Sequence, residues 1–356
     1  MSILPLPRSL AALLSRARRA RRAAMLATIA FSLTGCISME LDDLGTPSHE
    51  IPSKLIGEMA KKGVKVESPV LVRIFKQESE LEVWKQTKTG QYVLVKTYPM
   101  CRWSGKLGPK TRDGDRQAPE GFYHVSAPML NPKSQFYLSF NLGYPNRLES
   151  ALGYTGEALM VHGACSSSGC YALTDQGVGE IYALAERSLA AGQERFQVQA
   201  YPFRMTAENM AGHRSDPNFD FWKNIKQGYD IFDATKRQPK VSACGGKYVF
   251  NTEFVDGEPR DPRAACPAPK TMPDPGLLAK LATQEKKLAE LLAGESGAST
   301  SAYVDGGMHP SFRALLKKDG ADKLAEKIST IKYPGRVANT SGGSYHPAKA
   351  GIFMLC

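Results

Sequence analysis

The segment that decides the fold of this chain runs from Met160 to Cys170 and reads MVHGACSSSGC. Within it, His162 and Cys170 lie eight residues apart, on either side of a loop bounded by Gly163 and Gly169. A cysteine with a pKa near about 8.5 is only a few per cent thiolate at neutral pH, so a nucleophilic cysteine needs a neighbouring base or positive charge. His162 can supply that base, and backbone amides at the Gly169 turn can face the oxyanion of an acyl-transfer intermediate. The pattern indicates a nucleophile, Cys170, with His162 as its base.

Two other interpretations of these residues stay open. In the first, Cys165 or Cys170 forms a disulfide and His162 merely ends a strand. The second is a metal site at His162, Cys165 and Cys170, although this set lacks a fourth ligand and the paired spacing of structural zinc sites. Three further histidines are too scattered to complete such a site (His124, His213 and His309). No metal or other cofactor is expected, because a thiolate and a backbone oxyanion hole suffice for acyl transfer.

Upstream of this segment, short apolar runs alternate with polar turns, as in strands of a meander. The predicted strands cover 70–75, 81–84, 92–95, 121–125, 135–140 and 158–161. The Gly-rich, charged stretch 101–119 is expected to form an extended surface loop, and its basic residues between 106 and 116 are expected to be solvated. Residues 119–123 predict a turn before a buried strand.

Downstream, a helix capped by Thr174 or Asp175 is predicted to end at Gly192 and to precede a strand at 196–201. A further amphipathic helix is predicted over 222–235, and a strand over 247–250. Beyond Cys266 the sequence shifts to a Pro-rich link, a helix over 277–292, a Gly/Ser stretch and a helix over 312–328. We therefore predict a mainly β (α+β) catalytic domain at 70–255 and a helical C-terminal extension of unknown role at 256–356.

The motif also resembles a known family. His162-Gly163 followed by Ser167-Ser168-Gly169-Cys170 resembles the signature of the YkuD-type L,D-transpeptidases. Ser168 departs from that signature, which usually has His or Arg there, and the stretch from His162 is shorter. These departures resemble the YafK-like branch instead, as do further segments: WSG at 103–105, LGPK at 107–110, GD at 114–115, QAPEGFY at 117–123, SFN at 139–141 and YPN at 144–146. The similarity covers roughly residues 70–250.

This resemblance implies a YkuD-like mixed β-sandwich with peripheral helices. It implies that Cys170 attacks the carbonyl between an L-centre and a D-centre of a peptidoglycan stem peptide, with His162 as general base. Gly169 and Cys170 would supply backbone oxyanion donors, and Ser168 would shape the loop. The implied partners are peptidoglycan stem peptides and wall-linked lipoprotein.

The resemblance leaves the second half of the reaction open. An amine that resolves the thioester gives an L,D-transpeptidase, whereas water gives an L,D-endopeptidase or amidase that releases stem peptide or protein. The alternative from another class is a non-catalytic wall-binding lipoprotein. That alternative predicts a disulfide-bonded Cys170, or a His162 too distant to accept its proton.

The N-terminus predicts export. Six arginines and no acidic residue precede an apolar run at 23–33, which is typical of a signal peptide. The run ends in LTGC at 33–36, which resembles the bacterial lipobox. The resemblance implies a signal peptide at 1–35, a lipidated Cys36 and a tether at 36–69; a plain cleaved signal is the alternative. Because Ile37 rather than an aspartate follows Cys36, we expect a periplasmic lipoprotein of the outer membrane.

Charge and cysteine content limit the function further. The net charge of +11 falls to +5 without the six arginines, since 40 basic residues then face 35 acidic ones. No nucleic-acid-binding motif accompanies this charge, so no nucleic-acid partner is expected, whereas an anionic polymer such as peptidoglycan suits it.

Six cysteines remain when Cys36 is set aside. They can form three disulfides, or one can stay free as a catalytic thiol and leave an odd number, five, for disulfides. Cys244 and Cys266, 22 residues apart, are the expected pair. Cys165 is expected either to pair with Cys101 or to protect the nucleophilic thiol reversibly. The last residue, Cys356, is interpreted as incidental.

Overall fold

The computed structural model describes residues 50–270, 274–294 and 306–328. The predicted signal peptide, the lipidation site Cys36 and the terminal Cys356 lie outside these residues. Across the three described ranges, no helix combines the length and the apolar character needed to cross a membrane.

The described residues form twelve strands. Their bounds are β1 Val70–Phe75, β2 Glu80–Gln86, β3 Tyr92–Pro99, β4 Arg102–Trp103, β5 Gly121–Ser126, β6 Leu130–Asn131, β7 Ser139–Asn141, β8 Met160–His162, β9 Tyr171–Ala172, β10 Arg195–Tyr201, β11 Val241–Cys244 and β12 Lys247–Phe250. Strands β11 and β12 make a separate hairpin, and the other ten form two five-stranded sheets.

The first sheet has the order β3-β2-β1-β10-β5, with β1 and β10 parallel and the other pairs antiparallel. Every residue of β1 is buried, because both faces of this sheet are covered. On one face Val72 pairs with Val198 inside the core. On the other face the Tyr201 ring meets the Tyr229 ring at 5.3 Å.

The second sheet has the order β4-β9-β8-β7-β6, and its strands are only two or three residues long. It is also mixed, since β8 and β9 run parallel. Paired positions create a continuous apolar row across it: Trp103, Tyr171, Val161, Phe140 and Leu130. Phe140 lies 5.6 Å from Phe196 of β10, ring to ring, so the apolar face turns toward the first sheet. The two sheets confirm the expected mixed β fold.

Seven helices surround the sheets in the described residues: α1 Ser53–Lys61, α2 Arg147–Ala151, α3 Asp175–Ala190, α4 Ala207–Gly212, α5 Phe219–Thr235, α6 Pro275–Ala293 and α7 Pro310–Ile328. Helix α3 begins as predicted, because the Thr174 side chain accepts a hydrogen bond from the Gly177 amide. It contacts both sheets, while α5 covers the outer face of the first sheet through Tyr229.

Two predicted strands are shorter than expected. Of residues 135–140, only Ser139 and Phe140 belong to a strand, because Tyr137 adopts a left-handed backbone with φ of 72°. In the run 158–161 the strand begins only at Met160, because Ala158 adopts a left-handed backbone with φ of 57°. In both cases, a conformation that interrupts pairing lies in an apolar run with good strand propensity.

The prediction of a surface loop at 101–119 is wrong in part: Lys106, Arg112 and Arg116 are exposed as expected, but Lys110 is buried. The stretch contains β4, and Trp103 and Ala118 are fully buried. It is anchored by Lys76, whose ammonium donates to the carbonyls of Gly108 and Ala118 and to the Glu120 carboxylate. The buried ion pair between Lys76 and Glu120 thus holds this segment against the protein, although its glycines and charges are typical of a solvated loop.

Part of the C-terminal extension completes the second sheet. Gly307 exchanges two 3.1 Å backbone hydrogen bonds with Trp103, and so extends the sheet beyond β4. Gly306 has φ of 74°, and a side chain there would overlap the Trp103 carbonyl. Glycines are therefore required where the extension meets the sheet edge.

Candidate active site

His162 is the last residue of β8, the central strand of the second sheet. Its side chain is fully buried, and the Phe136 ring lies 4.7 Å from it. Nδ1 is 2.7 Å from the Gly163 carbonyl oxygen. Because a carbonyl can only accept, Nδ1 carries the proton and Nε2 has the lone pair. The imidazole is thus held in the tautomer that can act as a base.

Burial lowers the pKa of His162 to about 4, an effect that the hydrogen bond to Gly163 opposes but does not cancel. The imidazole is therefore neutral at pH 7. Within the described residues, Nε2 has no hydrogen-bond partner.

Cys170 immediately precedes β9 and is fully buried. Strands β8 and β9 pair in parallel, with Val161 opposite Tyr171 and His162 opposite Ala172. Because side chains alternate along a strand, His162 and Ala172 lie on one face of the sheet, and Cys170 directly precedes β9. The register therefore places the predicted base at the end of β8 and the predicted nucleophile directly before the neighbouring strand β9.

The sulfur of Cys170 accepts a hydrogen bond from the Met160 amide at 3.3 Å. Cys170 is disulfide-bonded in this structure, as the disulfide interpretation and the non-catalytic alternative predicted. A thiolate at this position is thus generated only after that bond is reduced.

The loop between His162 and Cys170 is fixed by a hydrogen bond and by a disulfide. Ala164 and Cys165 adopt left-handed backbone conformations, with φ of 61° and 47°, which are unfavourable for residues other than glycine. The Ala164 amide donates to the Asp175 carboxylate at 2.7 Å, and Cys165 is disulfide-bonded to Cys101. The pairing of Cys165 with Cys101 is one of the two alternatives that the sequence left open; the expected pair Cys244–Cys266 is confirmed.

Ser167 organises the turn before Cys170, a role that was not predicted from the sequence. Its hydroxyl accepts from the amides of Gly169 and Cys170 at 3.3 and 3.0 Å, and donates to the Cys170 carbonyl at 2.6 Å. Ser104 Oγ adds a hydrogen bond at 2.8 Å. The two amides expected to bind an oxyanion therefore donate to Ser167 here, whereas the neighbouring Ser168 is exposed.

One face of the second sheet is polar. Continuous pairing across the sheet places five residues in a row: Arg102, Ala172, His162, Ser139 and Asn131. The next row on this face contains Asn141 and Met160. An amphipathic sheet thus presents His162 opposite the apolar row that faces the core.

The metal interpretation gains no support from this geometry. In the described part of the chain, no group of three or more metal-binding side chains converges. Cys165 is committed to Cys101, and His124 lies on β5 of the other sheet.

The comparisons with known proteins agree with the motif. No family model matches the chain. Over 185 residues it is 47% identical to "Putative L,D-transpeptidase YafK" of Escherichia coli K12, a match that covers 52% of this chain and 74% of the relative. The protein of the same name in Escherichia coli O157:H7 matches equally.

Two solved structures also align with part of the fold. The helical cell shape determining protein Pgp2 from Campylobacter jejuni aligns with 53% of this chain and 80% of its own, at a TM-score of 0.31 and 18% identity. Bd1075 of Bdellovibrio bacteriovorus aligns with 49% of this chain and 77% of its own, at a TM-score of 0.28 and 16% identity. On the sequence match to its Escherichia coli relatives, the chain belongs to the YafK-like branch of the YkuD-type L,D-transpeptidase family.

Proposed function

We propose that this protein is a cysteine acyltransferase of peptidoglycan stem peptides, with Cys170 as nucleophile and His162 as general base. The observation that carries the proposal is the parallel pairing of β8, which ends at His162, with β9, which begins directly after Cys170. The hydrogen bond from Nδ1 to Gly163 supports it, because it leaves Nε2 to accept a proton. The substrate class is supported by the name of the relatives.

In the first half-reaction, His162 Nε2 takes the proton from Cys170, and the thiolate attacks the carbonyl between the L- and D-centres. The Sγ–C bond forms, the C–N bond breaks, and the imidazolium returns the proton to the leaving amine. The products are a thioester on Cys170 and the released amine. Because His162 is neutral at pH 7, the base is available without prior deprotonation.

Oxyanion stabilisation is assigned to the amides of Gly169 and Cys170. Both donate to Ser167 Oγ in this structure, so a tetrahedral intermediate must compete with that hydroxyl for them. Since Cys170 and His162 are fully buried, substrate binding also requires displacement of covering residues, of which Phe136 is one.

The finer features of location and domain organisation are proposals as well. We propose that residues 1–35 are removed, that Cys36 is lipidated, and that the catalytic domain spans 70–255, with 256–356 as an extension. The basis is the Arg-rich, apolar, LTGC-terminated N-terminus. Radiolabelled palmitate incorporation that is lost in Cys36→Ala is the expected result; equal labelling of the variant would exclude this anchor.

The function is tested with purified protein that has been treated with a reductant to open the Cys170 disulfide. It is incubated with disaccharide tetrapeptide and with a tripeptide-linked lipoprotein fragment, and all products are identified by mass. Cys170→Ala is the inactive comparison, and Ser168→Ala at the exposed neighbouring position is the matched control.

Crosslinked product that depends on Cys170 is the expected result and would establish a transpeptidase. Release of stem peptide or protein without crosslinking would make it a hydrolase of the same bond. Unchanged substrates, with Cys170 unavailable to a thiol reagent even after treatment with reductant, would instead support a non-catalytic wall-binding protein.

A further inference from the structure

Ser139 lies directly opposite His162 in the antiparallel pairing of β7 and β8. Both side chains are fully buried. Ser139 Oγ and His162 Nε2 are two of the few buried polar side-chain atoms that lack a hydrogen-bond partner within the described residues. Native proteins rarely leave such atoms unpaired, and two on one cross-strand pair indicate that a further polar group binds there.

The spacing of such a pair limits the size of that group. Side chains directly opposite each other in an antiparallel pair have Cβ atoms about 4.5–5.5 Å apart. One atom that hydrogen-bonds both residues at about 2.8 Å each therefore fits between them. A single hydroxyl, water or amine group meets this limit.

Neighbouring polar side chains are less suited to this role. Asn131, the next residue in the row, accepts from the Lys133 amide through its side-chain oxygen. Ser167 is committed to Cys170 and Ser104. Ser139 is thus the serine next to the base whose hydroxyl is not used to hold the protein together.

We propose that Ser139 Oγ and His162 Nε2 together bind the acyl acceptor, a water or a primary amine, that resolves the thioester on Cys170. The proposal rests on the function proposed above. The acceptor's nitrogen or oxygen forms a bond to the thioester carbonyl while the C–S bond breaks. Its proton passes to His162 Nε2 and then to the departing Cys170 sulfur, so the enzyme returns to its starting state. Ser139 accepts or donates one hydrogen bond and orients the acceptor toward the carbonyl.

The experiment separates the two half-reactions. Reduced wild type, Ser139→Ala, Ser139→Thr and a control, Ser242→Ala, are mixed with disaccharide tetrapeptide, and the thioester on Cys170 is followed by intact-protein mass. Ser242 is a buried strand serine of the separate β11-β12 hairpin. Disappearance of the thioester is timed in water alone and with an added stem-peptide amine.

We expect Ser139→Ala to form the thioester within about twofold of the wild-type rate and to lose it about tenfold more slowly, the effect of one lost hydrogen bond. The thioester should therefore accumulate. Ser139→Thr, which keeps the hydroxyl, and Ser242→Ala should behave as wild type. Slowing in both arms indicates that Ser139 orients either acceptor, and slowing in one arm identifies the acceptor that it orients.

Equal slowing of both half-reactions by Ser139→Ala would overturn the proposal and make Ser139 structural, and no slowing of either would overturn it too. If wild type forms no thioester, the proposed function fails, and this inference fails with it. That outcome is recognised in the wild type, before any Ser139 variant is compared.

Discussion

The two five-stranded sheets differ in what holds them together. The first has strands of six to eight residues, and β1 is buried along its whole length. The second has strands of two or three residues, and Ser139, His162 and Ala172 form part of a polar row on one of its faces. The short sheet depends on a disulfide, a left-handed loop and side-chain hydrogen bonds for its shape.

This difference suggests that the first sheet mainly determines the stability of the fold, whereas the second mainly positions the candidate catalytic residues. A long sheet with two covered faces gains its stability from apolar burial and has no free face for a substrate. The short sheet has one buried polar face, on which His162 lies at the end of β8, beside the strand that begins directly after Cys170. Substitutions in the two sheets should therefore have different signatures.

The largest expected effect is on activity in the short sheet. His162→Gln keeps roughly the side-chain size and removes the base, so thioester formation should fall about 10²–10⁴-fold. The urea midpoint of unfolding should change little. Initial rates by mass spectrometry, together with the unfolding curve, check this, and an unchanged rate would show that His162 is not the base.

Removal of each disulfide in turn tests whether the short sheet depends on its cross-link for activity. Replacing both Cys101 and Cys165 by alanine removes a disulfide between residues 64 positions apart. Replacing Cys244 and Cys266 removes one between residues 22 positions apart. Loop-closure entropy predicts losses of about 4 and about 3 kcal/mol in unfolding free energy. Only the first pair borders the left-handed loop, so only its removal should lower the activity of the folded fraction. Equal activity in both double variants would contradict this.

In the long sheet, Ile74→Ala should behave in the opposite way. Ile74 is fully buried, so its truncation should cost about 2–5 kcal/mol of unfolding free energy. The activity per folded molecule should stay within about twofold of wild type. Ile56→Ala at a position 43% exposed is the matched control and should change stability by less than about 0.5 kcal/mol.

One buried histidine in each sheet should make the free energy of unfolding depend on pH. Burial lowers the pKa of His162 to about 4, and burial together with Arg195 lowers the pKa of His124 to about 4. Between pH 6.5 and pH 4 the unfolded chain binds protons that the folded chain does not, so stability falls as pH falls. His162 alone accounts for up to about 3 kcal/mol.

Urea unfolding at pH 7 and pH 4.5 measures this loss, and His162→Gln and His124→Gln should each reduce it. A loss of the same size in His162→Gln would indicate that this imidazole is not buried as a neutral group.

The smallest effect distinguishes two adjacent serines. Ser167→Ala frees the amides of Gly169 and Cys170 but also removes the hydrogen bond to the Cys170 carbonyl that holds the turn. We expect the loss of the turn to dominate and to slow thioester formation about tenfold. Ser168→Ala, at an exposed position, should change it less than about twofold. The reverse order would place the functional hydroxyl on Ser168.

Features specified by local sequence were predictable. The bounds of β1 match the predicted run 70–75, and the Thr174 cap begins α3, because alternation and capping depend only on nearby residues. The pairing of Cys244 with Cys266 was also predicted, from a short separation. Cys170 and His162 were singled out because their chemistry and the family motif agree.

Features that depend on register were not predictable. Ser139 meets His162 only because β7 pairs with β8 in one particular alignment, and residues 23 positions apart carry no sign of it. The anchoring of 101–119 by Lys76 and Glu120 was missed for a related reason. A buried ion pair uses the residue types that usually indicate a solvated surface.

The pairing of Gly307 with Trp103 has a consequence for the order in which the protein folds. The two residues are about 200 positions apart, so this edge of the sheet closes a very long loop. Most of the chain must be synthesised before the strand next to β9 acquires its last neighbour. We therefore expect the second sheet to be completed late, after the long sheet has all five of its strands. A chain that stops before residue 306 would keep the long sheet but lack this last pairing of the short one.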